Sequence, residues 1–272
     1  MTHSDTPPPA RGPRKWSDLA PRLASGAAMV VVGALLIWLG GHWFRIGITL
    51  ISAGMVWELA KMVAPEPGPL ALQMAGIAGG AILLAVYLPP TLALPLLLLP
   101  SMAAIAMIPH RRTIFLTFTA MILVSAFGMV RIRDDLGAGW LLWLVAVVVV
   151  TDVLGYFAGR LIGGPKFWPR VSPKKTWSGT VAGWVGAAAV GYWFGHLSGT
   201  GPELMGISVA VSMASQMGDM AESSVKRKTG VKDSSSLIPG HGGLMDRFDG
   251  MLGGSMFLLL AGPVVGFPPG LG

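Results

Sequence analysis

The 272-residue chain has no cysteine. That excludes disulfides, thiolate metal centres and a cysteine nucleophile, and it leaves the redox compartment open. Charge is scarce too. Asp, Glu, Lys and Arg make up 12% of the residues, about half the share of an ordinary soluble domain, too few to cover an apolar chain in water. A conventional soluble enzyme, a secreted disulfide scaffold and a disordered chain are thereby excluded. What fills the sequence is apolar: 53% hydrophobic residues and a mean hydropathy of +0.64. The chain reads as an all-α, polytopic integral membrane protein. Its 38 glycines and 21 prolines suit such helices, where glycine permits close approach and proline is tolerated.

Three regions follow from composition. Residues 1–22 are polar, Pro-rich and basic, and read as a disordered cytoplasmic tail. Residues 23–150 form N-terminal transmembrane helices, and 151–272 a transmembrane region with two longer cytoplasmic loops, 160–178 and 223–250. Apolar runs lie near 23–41, 43–63, 70–88, 91–108, 113–130, 139–159, 179–197, 204–222 and 251–267. Each suffices to cross a ~30 Å hydrocarbon core, giving about nine spans. Pro95 and Pro100 fall in the fourth run and predict a kink or a re-entrant turn there.

Charge location orients the chain. With the N-terminus inside, only Arg45, Arg131 and Arg133 of the 20 basic residues lie outside. This bias predicts a cytoplasmic N-terminus and, with an odd number of spans, a C-terminus outside. The net charge of +7 is then a topology signal, and nucleic acid is not an expected partner.

Thirteen acids can be inspected one by one. Glu58, Asp152, Asp219 and Glu222 fall within apolar runs or at their ends, where an ionised carboxylate is costly unless paired or bound to a cation. Asp219, Glu222, Ser223 and Lys226 share one helix face. Arg227, Lys228, Lys232 and Asp233 follow, then Pro239-Gly240-His241-Gly242-Gly243 and Asp246-Arg247-Phe248-Asp249. Hard carboxylate oxygens alternating with Lys and Arg suit joint binding of Mg²⁺ and phosphates, and glycines let backbone amides approach phosphate oxygens. A belt of interfacial ion pairs is the alternative on composition alone; the ordered sequence of acids, bases, glycines and histidine argues against it.

At these residues the sequence resembles the phosphatidate cytidylyltransferase (CDP-diglyceride synthase) family. Its C-terminal signature is met by Ser223, Val225, Lys226, Arg227, Lys232, Asp233, Pro239, His241, Gly242, Gly243, Asp246, Arg247, Phe248 and Asp249, preceded by Ser215-Gln216-Met217-Gly218-Asp219. A second block resembles the family at Asp152, Tyr156, Gly159 and Arg160, then Ser172-Pro173-Lys174-Lys175-Thr176-Trp177 and Gly179. The specific likeness covers roughly 152–250. Val153, Leu154 and Gly250 depart from the usual pattern, which weakens inferences about fine nucleotide contacts and leaves the candidate ligands intact.

The resemblance implies a transferase that joins CTP to phosphatidate, giving CDP-diacylglycerol and pyrophosphate in phospholipid biosynthesis. It also implies Mg²⁺, a second cation such as K⁺, a homodimer, and a site on the cytoplasmic side of a bacterial inner membrane. On that reading Asp219, Asp246 and Asp249 ligate metal, and Lys226 and Arg247 join Asp219 and Asp246 in catalysis. Lys174, Lys175, Ser223, Arg227, Lys232, His241, Gly242, Gly243 and Asp152 contact substrate. Anchoring at the membrane face is the competing role for the lysines and arginines, and a helix–helix hydrogen bond for Asp152 and Tyr156. Competing functions are a CTP-dependent polyprenol kinase, a CDP-archaeol-type synthase, and a cation or phosphate transporter whose intramembrane acids line a path.

Overall fold

In the computed structural model, which describes residues 19–269 apart from residue 67, the chain is a bundle of helices. Helix α1 runs Leu19–Leu39, α2 Gly41–Val63, α3 Leu70–Ala85, α4 Pro90–Leu97, α5 Leu99–Met107 and α6 Arg112–Arg131. A π-helical turn, Ile132–Leu136, leads into α7, Ala138–Leu161. The strands β1, Lys166–Trp168, and β2, Ser172–Thr176, precede α8, Trp177–Ser198; α9 spans Glu203–Thr229 and α10 Met245–Ala261. Residues 1–18 of the expected tail lie outside the described residues, and residues 19–22 form the first turn of α1.

Among the described residues, five helical segments are long and apolar enough to cross a membrane: Pro21–Leu39, Gly41–Val63, Pro90–Met107, Arg112–Leu136 and Ala138–Leu161. The outer surface fits that reading. Val30 is 72% exposed, Leu72 71% and Trp193 68%, side chains that water would not tolerate in such number. The third of these segments is broken at Leu98 into α4 and α5, because Pro100 has no N–H to continue the helical ladder.

Two features of the sequence set the packing. Large side chains fill the space between the helices of the N-terminal half and α7, with Phe115, Phe127, Met55, Leu59 and Trp143 fully buried. Around α7, α8, α9 and α10 small residues take over. Gly179 of α8 faces Gly155 and Gly159 of α7 so closely that a side chain there would collide with the Gly155 carbonyl. A methyl group at Gly218 of α9 would likewise meet the Asp249 carbonyl. Hydroxyls stitch the same helices together: Thr151 donates to Ser212 (2.8 Å), and Ser125 to the Leu252 carbonyl (2.7 Å).

The two ends of the bundle differ in charge. At one end Arg45 pairs with Asp134 (2.8 Å) and Arg131 with Asp135 (2.6 Å). There Arg133 donates to the Ile37 carbonyl (2.7 Å) at the C-terminus of α1, satisfying an acceptor that the helix cannot. These are the three bases that the charge count assigns to the outside. Phe267, near the end of the described chain, packs on Trp140 and Trp143 at that end. The start of α1 and the chain beyond α10 therefore lie at opposite ends.

Candidate active site

The other end collects the acidic and basic motifs through helix extension. Helix α9 continues past its apolar part to Thr229, and α10 starts at Met245, so the connection is shorter than the 223–250 expected from hydropathy. Asp219, Glu222, Ser223 and Lys226 keep their helical spacing and stay on one face. The 160–178 loop is likewise partly ordered, as the antiparallel β1–β2 hairpin with Lys166 opposite Thr176. Thr176 then caps α8, its hydroxyl accepting from the Gly179 N–H (3.2 Å). This cap fixes Lys174 and Lys175 just ahead of the helix.

A cavity of about 580 Å³ opens between α7, α8, α9 and β2. Asp152, Tyr156 and Arg160 line one side, Lys174 and Lys175 another, and Asp219 contributes from α9. Lys175 pairs with Asp219, and the Arg160 guanidinium donates to the Tyr156 hydroxyl (2.9 Å). Gln216 accepts from the Trp184 indole (3.0 Å), which ties α8 to α9 next to the cavity.

Beside it, carboxylate oxygens of Asp219, Glu222 and Asp249 lie within 4.8 Å of one another. Glu222 is fully buried, and its Oε1 has no hydrogen-bond partner; its Oε2 receives Lys226 at 2.5 Å. Three converging carboxylates, one of them with a buried oxygen that has no hydrogen-bond partner, fit a divalent cation. Lys226 also reaches Asp246, at 2.7 Å, and Ser223 donates to Asp219 (3.3 Å).

Asp246 has different surroundings. Its Oδ2 accepts from the backbone N–H of Ser234, the Ser234 hydroxyl and the backbone N–H of Gly243, each at 2.8 Å. Asp246 precedes the apolar part of α10. Burial pushes its carboxyl up, and the Lys226 ammonium and these donors overcome that, holding it at about 2. Lys226 lies beyond the apolar part of α9: burial pulls its pKa down, and Glu222 and Asp246 outweigh burial to raise it. Both groups are therefore charged at neutral pH.

The 230–244 connection is a tight loop. Ile238 and Gly242 form a β-bridge, and Gly242 has φ +82°, a conformation that favours glycine; a Cβ there would lie 2.7 Å from Asp246. His241 Nδ1 lies 2.8 Å from the Ser25 hydroxyl of α1. Arg227, Lys232 and Arg247 are exposed at this end. Asp219, Glu222, Asp249, Lys175, Lys226 and Ser223 are thus brought together, while Asp246, Gly242 and Gly243 form an adjoining turn. Glu58 of α2 enters the same turn, where it accepts from Ser234, Ser235, Leu244 and Met245. Hydropathy marks Glu58 and Glu222 as costly acids, but not where each one points.

The model of the cytidylyltransferase family matches residues 20–262 of this chain. The chain belongs to that family. A phosphatidate cytidylyltransferase of Brucella abortus is 33% identical over 266 residues, covering 93% of this chain and 96% of that protein. One from Helicobacter pylori is 40% identical over 137 residues, half of each chain. One from Mycobacterium bovis is 39% identical over 144 residues, 52% of this chain and 46% of that protein. In this cytidylyltransferase the polar clusters of α7, β2, α9 and the turn before α10 are thus the candidate catalytic machinery.

Proposed function

We propose that this cytidylyltransferase transfers the cytidylyl group of CTP to phosphatidate, yielding CDP-diacylglycerol and pyrophosphate at the cytoplasmic face of a bacterial membrane. The observation that carries this reading is the juxtaposition of the Asp219–Glu222–Asp249 carboxylates with a basic cavity at one end of an apolar bundle. The cavity's size falls in the range of small-molecule sites, about 300–1,000 Å³.

In the reaction a phosphate oxygen of phosphatidate bonds to the α-phosphorus of CTP, and the bond from that phosphorus to the bridging oxygen breaks. The electron pair leaves with pyrophosphate. The second pKa of a phosphate monoester is near 6, so the nucleophile is already largely dianionic, and no side chain needs to act as base. The obstacle is charge repulsion. Asp219, Glu222 and Asp249 would hold Mg²⁺, which supplies charge neutralisation at the phosphates. Lys174, Lys175 and Arg160 bind the triphosphate in the cavity, and Lys175 exchanges its contact with Asp219 for a phosphate oxygen. Lys226, held between Glu222 and Asp246, supplies a fixed positive charge beside the carboxylate trio. Asp246 orders the Gly242–Gly243 turn, whose backbone faces the same end. About nine spans, with the N-terminus inside and the C-terminus outside, would place all of these groups at the cytoplasmic surface.

Purified protein in detergent should convert CTP and phosphatidate to CDP-diacylglycerol with Mg²⁺ present, and the Asp219→Ala variant should fail to do so. Turnover by Asp219→Ala at saturating Mg²⁺ equal to the unsubstituted protein's would remove the assignment.

A further inference from the structure

Helix α10 begins without a cap of its own. The residue at its N-cap position is Leu244, which has no side chain able to accept a hydrogen bond, although the first N–H groups of any helix lack partners within it. The partner comes from α2, more than 180 residues away in sequence. Glu58 Oε1 accepts from the Leu244 N–H and Oε2 from the Met245 N–H, both at 2.8 Å. The Ser235 hydroxyl donates to Oε1 (2.6 Å) and the Ser234 hydroxyl to Oε2 (3.1 Å). Glu58 is fully buried, and among the described residues it forms no ion pair. Its charge is offset by two backbone N–H groups, the Ser235 hydroxyl and a Ser234 hydroxyl shared with Asp246, and by the positive end of the α10 dipole. A side chain at Gly243 would collide with both Ser234 and Glu58, so the turn is built around this carboxylate.

We infer that Glu58 is a positioning residue: it caps α10 from α2 and thereby sets where Asp246 and Asp249, on the first two turns of α10, meet α9. Ser234 links the two functions directly, since its hydroxyl lies within hydrogen-bond distance of both Glu58 (3.1 Å) and Asp246 (2.8 Å). Through Glu58 the N-terminal half of the chain reaches the start of α10, one turn ahead of Asp249 of the carboxylate trio. The consequence for metal affinity rests on the proposed Mg²⁺ site; the capping itself does not.

Glu58→Gln is the discriminating change. Each carboxylate oxygen accepts from a backbone N–H, so either amide orientation turns an NH₂ toward a donor. Hydrogen–deuterium exchange on the full-length protein in detergent should show the 244–245 amides opening about tenfold faster or more, with exchange in α7 and α8 unchanged. The half-saturating Mg²⁺ concentration should rise about tenfold or more, with much of the maximal rate recovered at high Mg²⁺. Unchanged exchange at 244–245 together with an unchanged Mg²⁺ curve would overturn the inference. If exchange speeds up across the whole chain, Ser235→Ala decides, because it removes one donor and leaves the carboxylate in place. Faster exchange confined to 234–247 then supports capping, and none there refutes it. Failure of the unsubstituted protein to consume CTP would count against the proposed function alone, since the exchange measurement needs no turnover.

Discussion

Glu222 and Asp246 sit twenty-four residues apart on facing helices and share Lys226, yet their surroundings assign them different tasks. Glu222 keeps a buried oxygen without a partner, whereas both oxygens of Asp246 accept hydrogen bonds, Oδ1 from Lys226 and Oδ2 from Ser234 and Gly243. Replacing Glu222 with Gln should therefore raise the Mg²⁺ requirement by about two orders of magnitude, the upper end of what the change of an outer partner costs. Asp246→Asn should instead lower turnover at every Mg²⁺ concentration, by about tenfold or more, because it loosens the turn. A Mg²⁺ titration of both variants separates the two. Acid should distinguish them further. Asp246 is held below the carboxylate's ordinary value near 3.9, so its contribution to stability is complete above that pH and fades as pH falls toward about 2. A melting-temperature profile should show Asp246→Asn costing most above pH 4 and little near pH 2. Spacing in the sequence is enough to place Asp219, Glu222 and Lys226 on one face. It does not show that Asp246 turns toward Ser234 and Gly243, nor that Glu58 meets α10, since those partners are set by tertiary packing.

Among the elements, the α7–α8 pair carries the strongest constraint on the cavity. Gly155 and Gly159 on α7 accept the backbone of α8 at Gly179, and the cavity-lining residues sit on these same turns. Gly179→Ala should lower the melting temperature in detergent, for a cost of about 1–3 kcal/mol, and should cut turnover with it. Gly76→Ala on α3, where an added methyl group meets nothing within 4 Å, should leave both unchanged and serves as the control. Hydropathy locates most of these helices to within a few residues, and the prolines of the fourth run foretell its break. The β1–β2 hairpin escapes detection because its strands are only three and five residues long and carry Lys and Pro, not alternating apolar residues. The outward extension of α9 escapes for a related reason: polar helical turns leave no hydropathy signal.

At the scale of the whole molecule, scarce charge is sorted between two ends, and that sorting joins fold to chemistry. At one end Arg45, Arg131 and Arg133 are paired with acids or with helix carbonyls, while the opposite end assembles carboxylates and lysines around a cavity. A periplasm-dependent reporter fused after α10 should be active and one inserted in the 230–244 loop silent; the reverse pattern would place the site on the wrong side for cytoplasmic CTP. The most direct measurement of the central claim follows the label of CTP into lipid. With phosphatidate, Mg²⁺ and purified protein, phosphorus-32 at the α position should appear in the lipid product, and the same label at the γ position should leave as pyrophosphate. Label transferred to lipid from the γ position, or no transfer from either, would contradict it.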